Sequence, residues 1–182
     1  MQQVRGFTLL ELIVIVVILG IIAAYTSPSF ERLMRHTGNV SSTSKILNTL
    51  TYARAEAVNQ GANVTVCSST DYQQCNGDVY WQNGWIVFLD RGTLGQFDGD
   101  ATIIPCVAEN DCVLRVWDAL PNGAVLLETH GERFVTFTDQ GAVLGAKSFR
   151  LALALPQCGI GELRALSLNV IGRAEVSTGD CP

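Results

Sequence analysis

The chain has 182 residues, enough for one domain and an appendage, and carries a formal net charge of −5. From Gln60 to Glu128 nine acidic residues face only Arg91 and Arg115, and after Glu128 five basic residues balance five acidic ones. This distribution excludes a global basic field, so any binding of a polyanion would need a local patch of cations.

Met1 to Gly6 is short and polar and carries one positive charge, Arg5. From Phe7 to Thr26 the chain is predominantly apolar and holds a single charge, Glu11. As a helix this run would be about 30 Å long, which matches the hydrocarbon thickness of a bilayer. Arg5 on its N-terminal flank directs that end to the cytoplasm and the remainder outside. A cleaved signal peptide with a small-residue site near Ala23-Ala24, or a plain anchor, has the same hydropathy. Neither has a use for Glu11, because a carboxylate in an apolar membrane helix is costly and needs a partner.

Gly6-Phe7-Thr8-Leu9-Leu10-Glu11 resembles the processing site of type IV pilins and pseudopilins. The resemblance implies that a prepilin peptidase cuts after Gly6 and that Phe7 becomes an N-methylated N-terminus. Glu11 is then the fifth residue of the mature chain. Pro28 stands where many pilins carry a proline. Phe7, Glu11 and Pro28 are therefore expected to act in assembly. The implied division is a leader over 1–6, a transmembrane helix over 7–27, an amphipathic continuation over 28–60 and a β-rich exported domain over 61–182. The implied location is the inner membrane, crossed once with the N-terminus cytoplasmic, and then the tip of a pilus or pseudopilus. The implied partners are other minor and major pilins, the prepilin peptidase and the inner-membrane assembly platform.

Beyond Pro28 and Gly38, which are expected as kinks or local breaks, Ile46, Leu50, Ala53 and Ala57 recur at helical spacing. Leu47 and Val58 join that stripe; Arg54 and Glu56 lie off it. Gln60-Gly61 reads as a helix stop, and the apolar stripe predicts packing on a sheet. After Gly61 the period changes to short Val-, Ile-, Phe-, Trp- and Thr-rich runs between turn residues. Strands are predicted at 63–68, 79–82, 85–89, 101–105, 113–117, 125–128, 133–138, 149–155, 163–168 and 174–177. The expected class is α+β: a long N-terminal helix packed on antiparallel sheets.

Six cysteines, Cys67, Cys75, Cys106, Cys112, Cys158 and Cys181, show no Cys-x-x-Cys pair. An even count at wide spacing suits disulfides in an exported domain better than a zinc site. Pairing neighbours, Cys67 with Cys75, Cys106 with Cys112 and Cys158 with Cys181, closes short loops or ties adjacent strands.

Three further stretches resemble the FimT/FimU and pseudopilin-H family: Tyr52-Ala53-Arg54-Ala55-Glu56-Ala57-Val58 followed by Val64-Thr65-Val66-Cys67, then Gly84-Trp85-Ile86-Val87-Phe88-Leu89-Asp90, and Gly172-Arg173 near the C-terminus. With Phe137 and Gly141 between them, the likeness runs along nearly the whole chain. It implies a structural subunit, a minor pilin that helps to start and cap a type IV pilus. The rival within the family is a type II secretion pseudopilin H. A third reading is a DNA receptor for transformation, since Gly172-Arg173 matches half of the Gly-Arg-x-Arg loop of DNA-binding relatives. Here the second arginine is replaced by Glu175, so DNA is not favoured, although Lys147, Arg150, Arg164 and Arg173 could assemble a patch.

No constellation in the sequence is catalytic, and no cofactor is expected. His36 and His130 lack a nucleophile or paired base nearby. Asp90, Asp98 and Asp100 alternate oxygen ligands but lack the full calcium-loop pattern, so a charged turn is expected and no metal. Trp81, Trp85 and Trp117 are expected in the core.

Overall fold

The structure is a computed structural model that describes residues 8–99, 110–121, 123–146 and 148–181, with the backbone alone at 24–32, 35 and 146. It falls into two compact units, Met1–Gly38 and Asn39–Pro182.

Helix α1 is assigned from Leu9 to Gln60. Pro28 and Gly38, expected as kinks or local breaks, do not break the helical assignment, although a proline there removes one ladder bond and crowds the carbonyl four residues before it. Gly61, at φ 58°, ends it, and Ala62 N–H donates to the Ala57 carbonyl at 3.3 Å. This is the left-handed C-terminal stop that only glycine adopts without strain.

In the larger unit the stripe Ile46, Leu50, Ala53 and Ala57 is buried. It packs on two four-stranded antiparallel sheets. The first has the order β3-β2-β1-β5, from Cys112–Asp118, Gly84–Leu89, Val64–Ser68 and Phe134–Phe137. The second has the order β4-β6-β7-β8, from Val125–Glu128, Phe149–Ala154, Leu163–Leu168 and Ala174–Gly179. β1 and β2 are buried at every position. Val66, Trp85, Val87 and Leu89 face the helix in the main core, while Cys67, Ile86 and Phe88 meet a second layer with Tyr72, Phe97 and Phe134. Cover on both faces is why these central strands read as continuous apolar runs without alternation.

Two predicted strands differ. The run at 79–82 is no strand: Tyr80 makes an isolated bridge to Leu127, Trp81 N–H donates to Leu126 O, and Glu128 N–H donates to Val79 O. The Asp78 carboxylate accepts from the Tyr80 N–H at 3.1 Å, an Asx-type turn that draws the backbone out of the ladder. The run at 101–105 lies outside the described residues. The remaining strands differ from their predicted bounds by two residues or fewer.

Disulfides join Cys67 to Cys75 and Cys158 to Cys181, two of the expected neighbour pairs. Cys112 is also disulfide-bonded, and Cys106 lies outside the described residues.

Candidate functional site

The N-terminal segment starts with a cap. The Thr8 hydroxyl accepts from the Glu11 N–H at 3.3 Å, and Leu12 N–H donates to Thr8 O at 3.2 Å. Thr8-Leu9-Leu10-Glu11 thus has the residue pattern of a capping box, and it sets the acid in the first turn, where the helix dipole favours negative charge. Gly6 and Phe7 lie outside the described residues. Around and after Glu11 the apolar side chains are uncovered on every face: Leu9 is 77% exposed, Val16 60% and Ile22 54%. A helix that is apolar all round needs lipid or other helices about it. Among the described residues no helix is long and apolar enough to cross a membrane; the side chains described here run from Thr8 to Ala23, and the segment expected over 7–27 extends past both ends. Pro28 lies within α1, where the backbone alone is described.

Of the C-terminal cations that could assemble a patch, Arg150 and Arg164 lie on opposite faces of their sheet. β6 and β7 pair with Arg150 opposite Ser167 and Leu153 opposite Arg164. Leu151 and Leu153 alternate into the core, so Arg150 points outward and Arg164 takes the core-side position at the far end of β7. There the Arg164 Nη1 donates to the carbonyls of Gly161 at 2.8 Å and Leu163 at 3.4 Å. Arg173 sits on the β7–β8 turn, exposed, with its Nε 4.0 Å from the Glu175 carboxylate. A pair this exposed contributes little to stability, but it sets a negative charge beside the turn's one cation. Lys147 lies outside the described residues.

What the β7–β8 turn does show is close packing. Gly172 is at φ 77° and Gly141 at φ 74°, and a Cβ on Gly172 would strike the Gly141 carbonyl oxygen. The Arg54 Nε donates to that same oxygen at 2.9 Å. Arg54, off the apolar stripe, is thus half-buried and ties helix to turn. Its place in the Tyr52–Val58 stretch was the available signal.

The acids of the 90–98 loop are spent on the main chain. Asp111, remote from this loop in sequence, is buried and accepts from Arg91 N–H at 2.7 Å, Gly92 N–H at 3.2 Å and Asp98 N–H at 2.8 Å. Asp98 accepts from Thr93 N–H at 2.8 Å. Asp90 is 4% exposed and accepts from the Thr65 hydroxyl at 2.6 Å and Gly95 N–H at 2.8 Å. Asp100 lies outside the described residues. Among the described residues no group of acids, histidines or cysteines is arranged to hold a metal.

Burial pushes the Asp90 carboxyl above the usual carboxylate range, opposed by its bonds to Thr65 and Gly95 and reinforced by the charges of Asp111 and Asp98. A raised folded-state pKa favours the protonated, folded form. Its contribution is fully present below the ordinary value of about 3.9 and is lost as pH rises through the raised one. Asp90→Asn keeps an oxygen for Thr65 and Gly95 without the charge. The variant should equal or exceed the parent in denaturant resistance at pH 7, with the difference closing as pH falls towards 3.5. A variant markedly weaker than the parent at pH 7 would contradict this account.

The largest surprise is Glu128, 2% exposed at the end of β4. One carboxylate oxygen accepts from His130 N–H and Glu132 N–H, both at 2.8 Å, and the other from Arg150 N–H at 2.9 Å. His130, expected as a solvated turn residue, is exposed, with its Nδ1 3.6 Å from the Glu128 carboxylate. His36 is exposed on α1. Trp81 and Trp85 are core, and the Trp85 indole donates to the Thr49 hydroxyl at 2.9 Å. Trp117 is half-buried at the edge of the core.

The sequence model of the family described as Type II transport protein GspH matches residues 42–172, and the prokaryotic N-terminal methylation motif matches residues 1–26. The fold is similar to a crystal structure of the Pseudomonas aeruginosa strain PAO1 type IV minor pilin FimU, at TM-score 0.51 and 20% identity, over 75% of this chain and 90% of that one. A looser likeness, at TM-score 0.46 and 14% identity over 75% of this chain and 94% of that one, is to the minor pseudopilin EpsH of the Vibrio cholerae type 2 secretion system. No curated protein matches the chain significantly.

Proposed function

Since the chain belongs to the Type II transport protein GspH family, we propose that it is a non-catalytic filament subunit: a minor pilin that helps to start and cap a type IV pilus. The observation that carries this reading is the N-terminal segment. Cleavage at Gly6–Phe7 would leave one residue ahead of the Thr8 cap, so the new amine would begin four residues before Glu11, whose N–H bonds the Thr8 hydroxyl in the first turn. A neighbouring subunit's amine can serve equally. Either pairing compensates two charges that would otherwise be costly among apolar helices, and it fixes axial register between subunits. The uncovered apolar surface from Leu9 to Ile22 suits lipid before assembly and a helical bundle after it. On this reading residues 1–6 are leader, 7–27 span the membrane once with the N-terminus in the cytoplasm, and 61–182 form the exported domain.

The matched family's own description supports a second reading, a pseudopilin of type II secretion. Deleting the gene and scoring piliation, secretion and transformation in parallel separates the two. DNA binding is not part of the proposal: Glu175 lies beside Arg173, and Arg150 and Arg164 lie on opposite faces of their sheet.

The intact mass of the membrane-purified chain should correspond to a start at methylated Phe7. A start after Ala24 would refute the filament reading. Glu11→Ala should leave a stable membrane protein whose incorporation into sheared filaments, scored by immunogold labelling, falls several-fold. Undiminished incorporation would rule out the charge pairing.

A further inference from the structure

Among the described residues β3 is an edge strand of the first sheet, and its alternation is broken. Val87 pairs with Arg115 and Phe88 with Val113, so Leu114 is the extra residue of a bulge. Cys112, Leu114 and Trp117 all pack on the main core, although in an unbroken strand Leu114 and Trp117 would lie on opposite faces. Bulges at sheet edges re-aim side chains, and this one places Arg115 beside Trp117 on the helix side. The Arg115 guanidinium carbon lies 5.0 Å from the Trp117 ring centre and 5.5 Å from that of Tyr52. The two rings meet edge to face at 5.8 Å.

Stacking on rings holds the cation through its faces and leaves its in-plane N–H donors free, which is the geometry that receives a carboxylate in two bonds. Arg115 has no ion pair among the described residues. It opens on a shallow notch lined by Ser41, Ser44, Lys45, Asn48, Arg115 and Trp117. The four helix residues form one stripe at i, i+3, i+4 and i+7. The Lys45 Nζ donates to the carbonyls of Asp118 and Ala119 and lies 5.2 Å from the Trp85 ring centre, which leaves one N–H. The notch therefore holds two cations, two hydroxyls and an amide, and no carboxylate. The acids felt there, Asp118 by Lys45 and Glu56 by Tyr52, are not among the lining residues.

The geometry points to a carboxylate-binding notch, in which Arg115 and Lys45 receive an Asp or Glu side chain from an extended acidic segment of another protein chain that lies along the free edge of β3. Charge selects the ligand: two cations, Lys45 from the helix and Arg115 from β3, line the notch, and no carboxylate does among the described residues. The edge selects a peptide over a free anion, because beyond Cys112 the outer side of β3 pairs with no strand among the described residues and can add one. The inference stands on this geometry and does not depend on the filament reading.

The full chain in detergent, titrated with the capped peptide hexaglutamate, should bind it, and hexaglutamine should not. Arg115→Gln should weaken binding at least tenfold. Arg115→Lys, which cannot stack or fork in the same way, should weaken it about fivefold. Ser44→Glu removes no cation but supplies a carboxylate to the notch from within, and should abolish binding with an unchanged melting temperature. Equal titration by the two peptides, undiminished binding by Arg115→Gln or by a folded Ser44→Glu chain, or sulfate competing as strongly per charge as the peptide, would each overturn the proposal.

Discussion

Gly172→Ala is expected to destabilise the folded chain by about 3 kcal/mol or more, whereas Arg173→Ala, one residue on, should cost under about 0.5 kcal/mol. Gly172 sits at φ 77°, and a residue with a Cβ in that region costs roughly 1–2 kcal/mol before any contact is counted. The new Cβ would then meet the Gly141 carbonyl oxygen, a backbone atom already held by the Arg54 Nε at 2.9 Å. Two turns and a helix converge there, so none can yield without disturbing the other two. Arg173 is exposed, and among the described residues its side chain pairs with exposed Glu175, so its removal touches little. Urea unfolding followed by circular dichroism measures both. A Gly172→Ala chain within 1 kcal/mol of the parent would show that the turn does not bear on the helix.

Glu128→Ala should cost about 3 kcal/mol, and Glu128→Gln roughly half that. Alanine strands three backbone N–H groups, those of His130, Glu132 and Arg150, and each buried donor left unpaired costs about 1–3 kcal/mol less whatever water recovers. Glutamine keeps one oxygen for the pair at 130 and 132 and turns a donor towards Arg150. Hydrogen exchange gives a site-specific check: protection should fall most at the amides of 130, 132 and 150. A uniform loss across both sheets would instead indicate a general packing defect.

The sequence disclosed what periodicity and local chemistry can encode. The stripe Ile46, Leu50, Ala53 and Ala57 is apolar every third or fourth residue and is buried as that spacing demands. β4 and β7 carry their predicted bounds, since turn residues flank each. The processing motif is contiguous and needed no fold to be seen. What escaped depends on which distant groups meet. Arg54 stood off the apolar stripe with no partner in view, because Gly141 is 87 residues away. Glu128 did leave a trace: strand alternation sets it on the same face as buried Leu126, which marks a buried acid to be explained. The bulge at Leu114 left none, because an extra residue in a strand cannot be counted without its partner's register.

The route of the chain through its two sheets has a consequence for how it folds. β1, β2 and β3 belong to the first sheet, β4 to the second, β5 returns to the first, and β6 to β8 complete the second. β1 waits for β5, which pairs Val64 with Phe137, so neither sheet can close until most of the chain is available. Non-local pairing of this kind is slow, on the order of milliseconds to seconds, because loop entropy is lost before contacts repay it. No truncation point between β3 and β6 leaves a self-sufficient piece. The two sheets should therefore unfold in a single transition, and a chain emerging stepwise into a new compartment would remain open to proteases until its last strands arrive.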